Sequence, residues 1–221
     1  MDVSKLAPAE LASHLGNPQG EVGLAVGEFM NRLNLKLSDD AYGRLGLKAG
    51  NHVLEVGVGN GLFIESLLNR APQTRYTGVD ISETMLAASA KANKASVESG
   101  RVKFNLASVD DMPLDDASMD CAVTVNCIYF WPEPLKALAE IRRVLKPGSC
   151  LVVAAMSPET AATSPLATRE HGFRIYDADA LKQMHNAAGF SSITIDHYHE
   201  NAQRPDGTPY ARKYLMVRAL A

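Results

Sequence analysis

The stretch VLEVGVGNG, residues 53–61, places Gly57, Gly59 and Gly61 at alternate positions behind a short apolar run. Asn60 stands between the last two, and the carboxylate of Glu55 lies two residues ahead of the first. Glycine reaches backbone angles closed to other residues and carries no Cβ, so a ligand can lie directly against such a main chain. A helix opening at about Leu62 would add free N–H groups and the positive end of its dipole. The same loop can equally be a tight turn that packs a helix on a strand. Asp80 ends the run YTGVD, 23 residues after Gly57. A carboxylate there has two oxygens to offer the two hydroxyls of a ribose. Its other use would be to cap a helix, a task for which Ser82 is available. The glycine spacing is G-x-G-x-G, with Leu62 where a dinucleotide fingerprint has its third glycine, and this argues against NAD and FAD. Glu55 argues the same way, because it would repel a diphosphate and suits a cationic moiety such as an amino group. The alternative for Glu55 is a strand acid paired with a neighbouring base.

These groups can act together only if strand ends are brought side by side. Residues 20–37 set Val22, Val26, Phe29, Met30, Leu33 and Leu37 at helical spacing, and a second short helix is expected after Ser38, capped there with Asp39 and Asp40. From residue 52 strands and helices alternate. The strands are HVLEV, RYTGV, VKFNL, MDCAVTV and CLVVAAM. The helices are LFIESLL, residues 82–95 capped by Ser82, and 133–146 stopped by KPGS. Asp177 caps a further helix that Gly189 ends. SSITIDHYH and KYLMVRAL, joined by the loop NAQRPDGTPY, form a closing hairpin. Continuous apolar strands alternating with helices predict an α/β fold, doubly wound on a mainly parallel sheet. Ligands bind such sheets at the strands' carboxyl ends, where the winding reverses.

Composition narrows the function. The chain has 221 residues, 46% apolar and 21% charged, with a net charge of −3 and no dense basic run; no nucleic-acid partner is expected. Cys121, Cys127 and Cys150 are odd in number and lack framework spacing, as buried free thiols of a reducing compartment would. The first ten residues hold no signal-length apolar run, and runs such as CLVVAAM are too short to span a bilayer, so a cytoplasmic protein without a membrane partner is expected.

VLEVGVGNG, YTGVDIS, DDMPLDDASMDCAVTVNCIYFW and RRVLKPGS resemble, in order and spacing, the successive motifs of class I S-adenosylmethionine-dependent methyltransferases. The resemblance is nearest to the small-molecule branch that includes the quinone-biosynthesis enzymes, and it covers roughly residues 50–156. It implies S-adenosylmethionine as cofactor and a seven-stranded sheet whose last strand lies between the fifth and sixth. It further implies a glycine wall (Gly57, Gly59, Asn60, Gly61), Glu55 near the cofactor's amino group, Asp80 on the ribose, Ile81 and Met85 flanking the adenine, and Asn126 at the methionine portion. Where the family commonly has an acid for the adenine amine, this chain has Ser108 followed by Val109; Asp110 and Asp111 come two and three residues later. The chain divides on this reading into an N-terminal helical cap, 1–49, and a methyltransferase-like domain, 50–221. The cap, with His14, Phe29, Met30 and Asn34, is expected to fold as a lid.

Displacement at a sulfonium needs proximity, orientation and dry surroundings, and a base only where the nucleophile must lose a proton. Tyr129, Phe130 and Trp131 can wall an apolar acceptor or pack the next helix. Tyr129 and His171 are the candidate catalytic residues, His171 as general base. No metal is expected: His197 and His199 share a strand face beside Glu200, but a third converging ligand is lacking. A non-catalytic S-adenosylmethionine sensor or partner subunit is the rival to a small-molecule methyltransferase.

Overall fold

The apolar runs around residues 54, 77, 123 and 152 are covered on both faces because helices pack above and below them. In the computed structural model, which describes residues 1–203 and 208–221, the strands are β1 (His52–Val56), β2 (Arg75–Asp80), β3 (Val102–Leu106), β4 (Met119–Val125), β5 (Leu145–Met156), β6 (Ser191–Gln203) and β7 (Pro209–Leu220). They form one sheet in the order β3-β2-β1-β4-β5-β7-β6. The first five are parallel, and β7 runs antiparallel between β5 and β6. The winding reverses between β1 and β4, so the tips of those two strands flank the crevice where such sheets take ligands.

The helices are α1 (Pro8–Gly16), α2 (Gly20–Gly43), α3 (Ile64–Leu68), α4 (Glu83–Ala92), α5 (Lys94–Glu98), α6 (Pro134–Val144), α7 (Pro158–Ala161) and α8 (Ala178–Ala187). Alternation along β1 sorts the core: Leu54 and Val56 join α6 and α8 on one face, while Val53 joins α2 and α3 on the other. No helix among the described residues is long and apolar enough to cross a membrane.

Several boundaries differ from expectation. The helix thought to end before Ser38 continues unbroken to Gly43. Ser38 is buried within it, and Asp39 and Asp40 pair with Arg70 and Arg44 instead of capping. The apolar period simply runs on through Leu37 and Ala41, and tertiary burial outweighs the local preference of Ser and Asp for a cap. The helix after the glycine loop starts at Ile64, not Leu62, and has five residues. The helix of residues 82–95 breaks at Asn93, and LKPGS is extended backbone at the start of β5, with a register shift against β4 at Met119/Cys121. Both strands of the hairpin run into the expected loop 201–210, of which residues 204–207 lie outside the described residues.

The N-terminal segment, read from the sequence as a separate cap, does not stand apart from the domain. Leu37, Ala41, Tyr42 and Leu45 belong to the same core as β1, β4 and β5. Only α1 and the first half of α2 lie over the carboxyl edge. There Ala12 joins the core, and a Cβ at Gly16 would sit 3.3 Å from the Phe130 ring.

Candidate active site at the carboxyl edge of the sheet

Gly57, Gly59 and Gly61 all have positive φ, at 77°, 59° and 71°, but they are glycine for different reasons. A Cβ on Gly57 would collide with Cys127 Sγ, and one on Gly61 with Ser89 Oγ. Those two positions let β4 and α4 close on the loop. A Cβ on Gly59 would meet nothing within 4 Å, so this main chain faces open space. Asp80, at the tip of β2, holds the loop in place. Its Oδ2 accepts from Gly59 N (3.1 Å) and its Oδ1 from Ser82 N (2.9 Å). Burial raises its pKa, and these backbone donors oppose the rise. Ser82 is the cap that the sequence offered, accepting from Met85 N at 3.1 Å.

Glu55 points away from this opening. It is buried on the α2 face, where the Tyr42 hydroxyl donates to its Oε1 (2.9 Å) and the Tyr76 hydroxyl to its Oε2 (2.8 Å). Desolvation pushes its pKa up to about 7, against the pull of both tyrosines. Neither phenol is expected as a partner from the sequence: Tyr42 stands between Ala41 and Gly43 and Tyr76 between Arg75 and Thr77, and nothing local joins them.

Ile81 (50% exposed) and Leu106 (57%) stand bare at the tips of β2 and β3, whose register pairs Asp80 with Leu106. Leu106 was not among the expected site residues, although an apolar residue ending an edge strand next to Asp80's strand is a usable signal. Met85 is 1% exposed and Val109 is buried. Met85 Sδ lies beneath α2, 3.2 Å from where a Cβ of Gly27 would be. Asn60 faces the same helix, and its Oδ1 accepts from Leu62 N at 3.4 Å. Ser108 is exposed and donates its hydroxyl to Asp110, which also pairs with Lys136 at 3.2 Å. The two residues weighed for one position thus form one hydrogen-bonded unit.

Across the crevice, Asn126 takes φ 56° at the tip of β4 and donates from Nδ2 to Asn34 Oδ1 of α2 at 3.0 Å. Burial pushes the neighbouring Cys127 thiol up to about 12, so it stays protonated and unreactive. Tyr129, in a 3-10 turn (Ile128–Phe130), is buried against Phe173 (5.2 Å, stacked) and Phe130 (4.9 Å, edge-on), and burial raises its pKa well above the usual phenol range. Trp131 is likewise buried. The aromatic run is therefore largely core, with Phe130 its partly covered margin. His171 lies on the loop between α7 and α8, its Nδ1 3.2 Å from Thr168 Oγ1. His14 accepts from Gln19 N across the turn between α1 and α2. His197 and His199 stack with centroids 6.5 Å apart, while Glu200 turns to the other face of β6 and pairs with Arg212 at 2.7 Å. No metal-binding cluster of three or more His, Cys, Asp or Glu occurs among the described residues.

Residues 54–153 match the family described as a methyltransferase domain. An uncharacterized methyltransferase, YdaC, of Bacillus subtilis is 31% identical over 172 residues, covering 78% of this chain and 89% of that protein. The O-methyltransferase cnsE of Penicillium expansum is 30% identical over 178 residues, covering 79% of this chain but 64% of its own length. Among solved structures, a SAM-dependent methyltransferase from Aquifex aeolicus superposes with a TM-score of 0.64 at 20% identity, over 98% of this chain and all of that one. With the motifs in sequence order and the sheet in this topology, the chain belongs to the class I S-adenosylmethionine-dependent methyltransferases and takes S-adenosylmethionine as its cofactor.

Proposed function

We propose that the chain transfers the methyl group of S-adenosylmethionine to an oxygen of a small-molecule acceptor by in-line displacement. One observation carries the reading. The bare main chain at Gly59 is flanked by Asp80 and Asn126 at the point where the sheet's winding reverses. The residues fit the cofactor. The Asp80 carboxylate, anchored by backbone N–H groups that include Gly59 and Ser82, stands where it can accept from the two ribose hydroxyls. Ile81 and Leu106 offer exposed apolar surface for an adenine ring, with the Ser108–Asp110 unit at its rim for the exocyclic amine. Met85, Val109, Gly57 and Gly61 support this surface from behind. Glu55 sets the strand through its tyrosines.

When bound, the cofactor supplies a methyl group already activated on a sulfonium, so the protein's task is mostly placement. The lid excludes water from the edge. Phe130 and the aromatic cluster behind it face the acceptor side. Tyr129 backs this wall from the core, and burial keeps its hydroxyl protonated, so it does not act as a base. His171 takes the proton that an oxygen nucleophile must lose. Oxygen as the accepting atom is supported by the name of the fungal relative.

The test pairs binding with turnover. Asp80→Ala should weaken S-adenosylhomocysteine binding by about 1–3 kcal/mol through the lost charge-assisted contacts. Labelled methyl from S-adenosylmethionine should pass to hydroxylated aromatic compounds and not to the same compounds with the hydroxyl blocked. Unchanged affinity in Asp80→Ala, or equal labelling of blocked acceptors, would overturn the assignment.

A further inference from the structure

Asn126 is held in an unusual state. Its φ of 56° is tolerated by few residues besides glycine and asparagine, and its backbone N is spent on Ala154 O at 2.8 Å. Its side-chain amide is divided. Nδ2 donates to Asn34 Oδ1, while Oδ1 is buried with no partner among the described residues. A buried carbonyl oxygen left without a donor is destabilising until a donor reaches it. An amide has one donor end and one acceptor end, so whatever engages the first decides where the second is aimed. Asn34 comes from the middle of α2, on the same helical stripe as Gly27 and Ala41, which pack on Met85 and the core. The lid helix itself therefore fixes the orientation of Asn126.

We infer that Asn34 is a positioning residue: it turns the Asn126 amide so that Oδ1 is kept for the amino group of the cofactor's amino-acid end. This rests on the cofactor assignment above. A carbonyl oxygen only accepts, and of the two charged groups at that end of S-adenosylmethionine only the ammonium donates; a carboxylate would be repelled. The nearby Cys127 thiol is turned inward on Val125 O at 3.2 Å, and both oxygens of Glu55 already receive tyrosine hydroxyls. A bound ammonium would satisfy the orphaned oxygen beneath α2, so the lid and the amino-acid end of the cofactor each favour the other's binding.

Calorimetry on the whole chain with two ligands separates this from a general packing role. S-adenosylhomocysteine carries the amino-acid end, and 5′-methylthioadenosine has the same nucleoside without it. Asn34→Ala should weaken S-adenosylhomocysteine about tenfold and change 5′-methylthioadenosine less than about twofold, a difference of one hydrogen bond. Asn34→Asp keeps an oxygen to accept from Asn126 Nδ2 and should restore binding of S-adenosylhomocysteine. Equal losses for both ligands, no loss in Asn34→Ala, or failure of Asn34→Asp to recover would each overturn the inference. If the unmodified protein binds neither ligand, the cofactor assignment itself falls, and this inference with it.

Discussion

Burial governs the chemistry of Glu55. An ordinary glutamate has lost its proton well below neutral pH; this one, enclosed by Tyr42 and Tyr76, is pushed up to about 7. Below pH 4.5 the group is protonated in folded and unfolded chains alike, and the fold keeps its full stability. As pH rises toward 7 the unfolded chain releases the proton while the folded chain retains it, so stability falls. Above 7 the loss is complete. Between pH 5 and 7.5 it should amount to about 2 kcal/mol. Glu55→Gln retains an oxygen for a tyrosine hydroxyl and does not titrate, so the difference between it and the unmodified protein in urea unfolding should shrink by that amount as pH falls. A difference independent of pH would show that the carboxylate is ionised throughout. At this scale, spacing pointed to Gly59 and Asp80 and the resemblance to Asn126, but neither pointed to their partners. Gly59, Asp80 and Asn126 stand at the mouth of the crevice, as expected from strand ends. The burial of Glu55 by two tyrosines depends on which face of β1 meets the end of α2, and a local pattern contains no such information.

The element that matters most is α2. Its 24 residues form the proposed lid at one end and a core helix at the other, with Asn34 near the join. Leu37 is wholly buried, whereas Leu24, thirteen residues earlier on the lid half, is 40% exposed. Leu37→Ala should cost about 2–5 kcal/mol in urea unfolding, and Leu24→Ala less than about 1. Similar costs would mean that the lid half is as firmly packed as the core half. Period 3.6 made this helix visible, and caps made α4 and α8 visible. Its continuation past Ser38 was hidden because Ser-Asp-Asp reads locally as a fresh start, and only the sheet beneath decides that Leu37, Ala41 and Tyr42 form one continuous buried stripe.

At the scale of the molecule the sheet separates two tasks. β1 to β4 carry or precede the residues assigned to the cofactor, and β5 to β7 bound the other end of the edge. Apolar runs alone predicted a mainly parallel sheet. The insertion of β7 between β5 and β6 came from the resemblance, since a hairpin's place in a sheet leaves no trace in its own composition. Nor could register be read, and register is what sets Glu200 opposite Arg212, two residues beyond the point where Tyr214 pairs with Met156 at the end of β5. Both side chains are 9% exposed, and the pair is only partly satisfied: Glu200 Oε2 and Arg212 Nε have no partner among the described residues. A buried ion pair with unmet hydrogen bonds repays little of its desolvation, but either charge left alone repays none. Arg212→Met should therefore cost about 3–5 kcal/mol, whereas Arg212→Met with Glu200→Leu should return to within about 1 kcal/mol of the unmodified protein. Because the cofactor residues lie across the sheet, S-adenosylhomocysteine affinity should stay the same in both variants. A double variant as unstable as the single one would show that the pair is needed to hold the hairpin. A loss of cofactor affinity would show that the two ends of the edge are mechanically joined, so that the hairpin helps to shape the berth at Gly59.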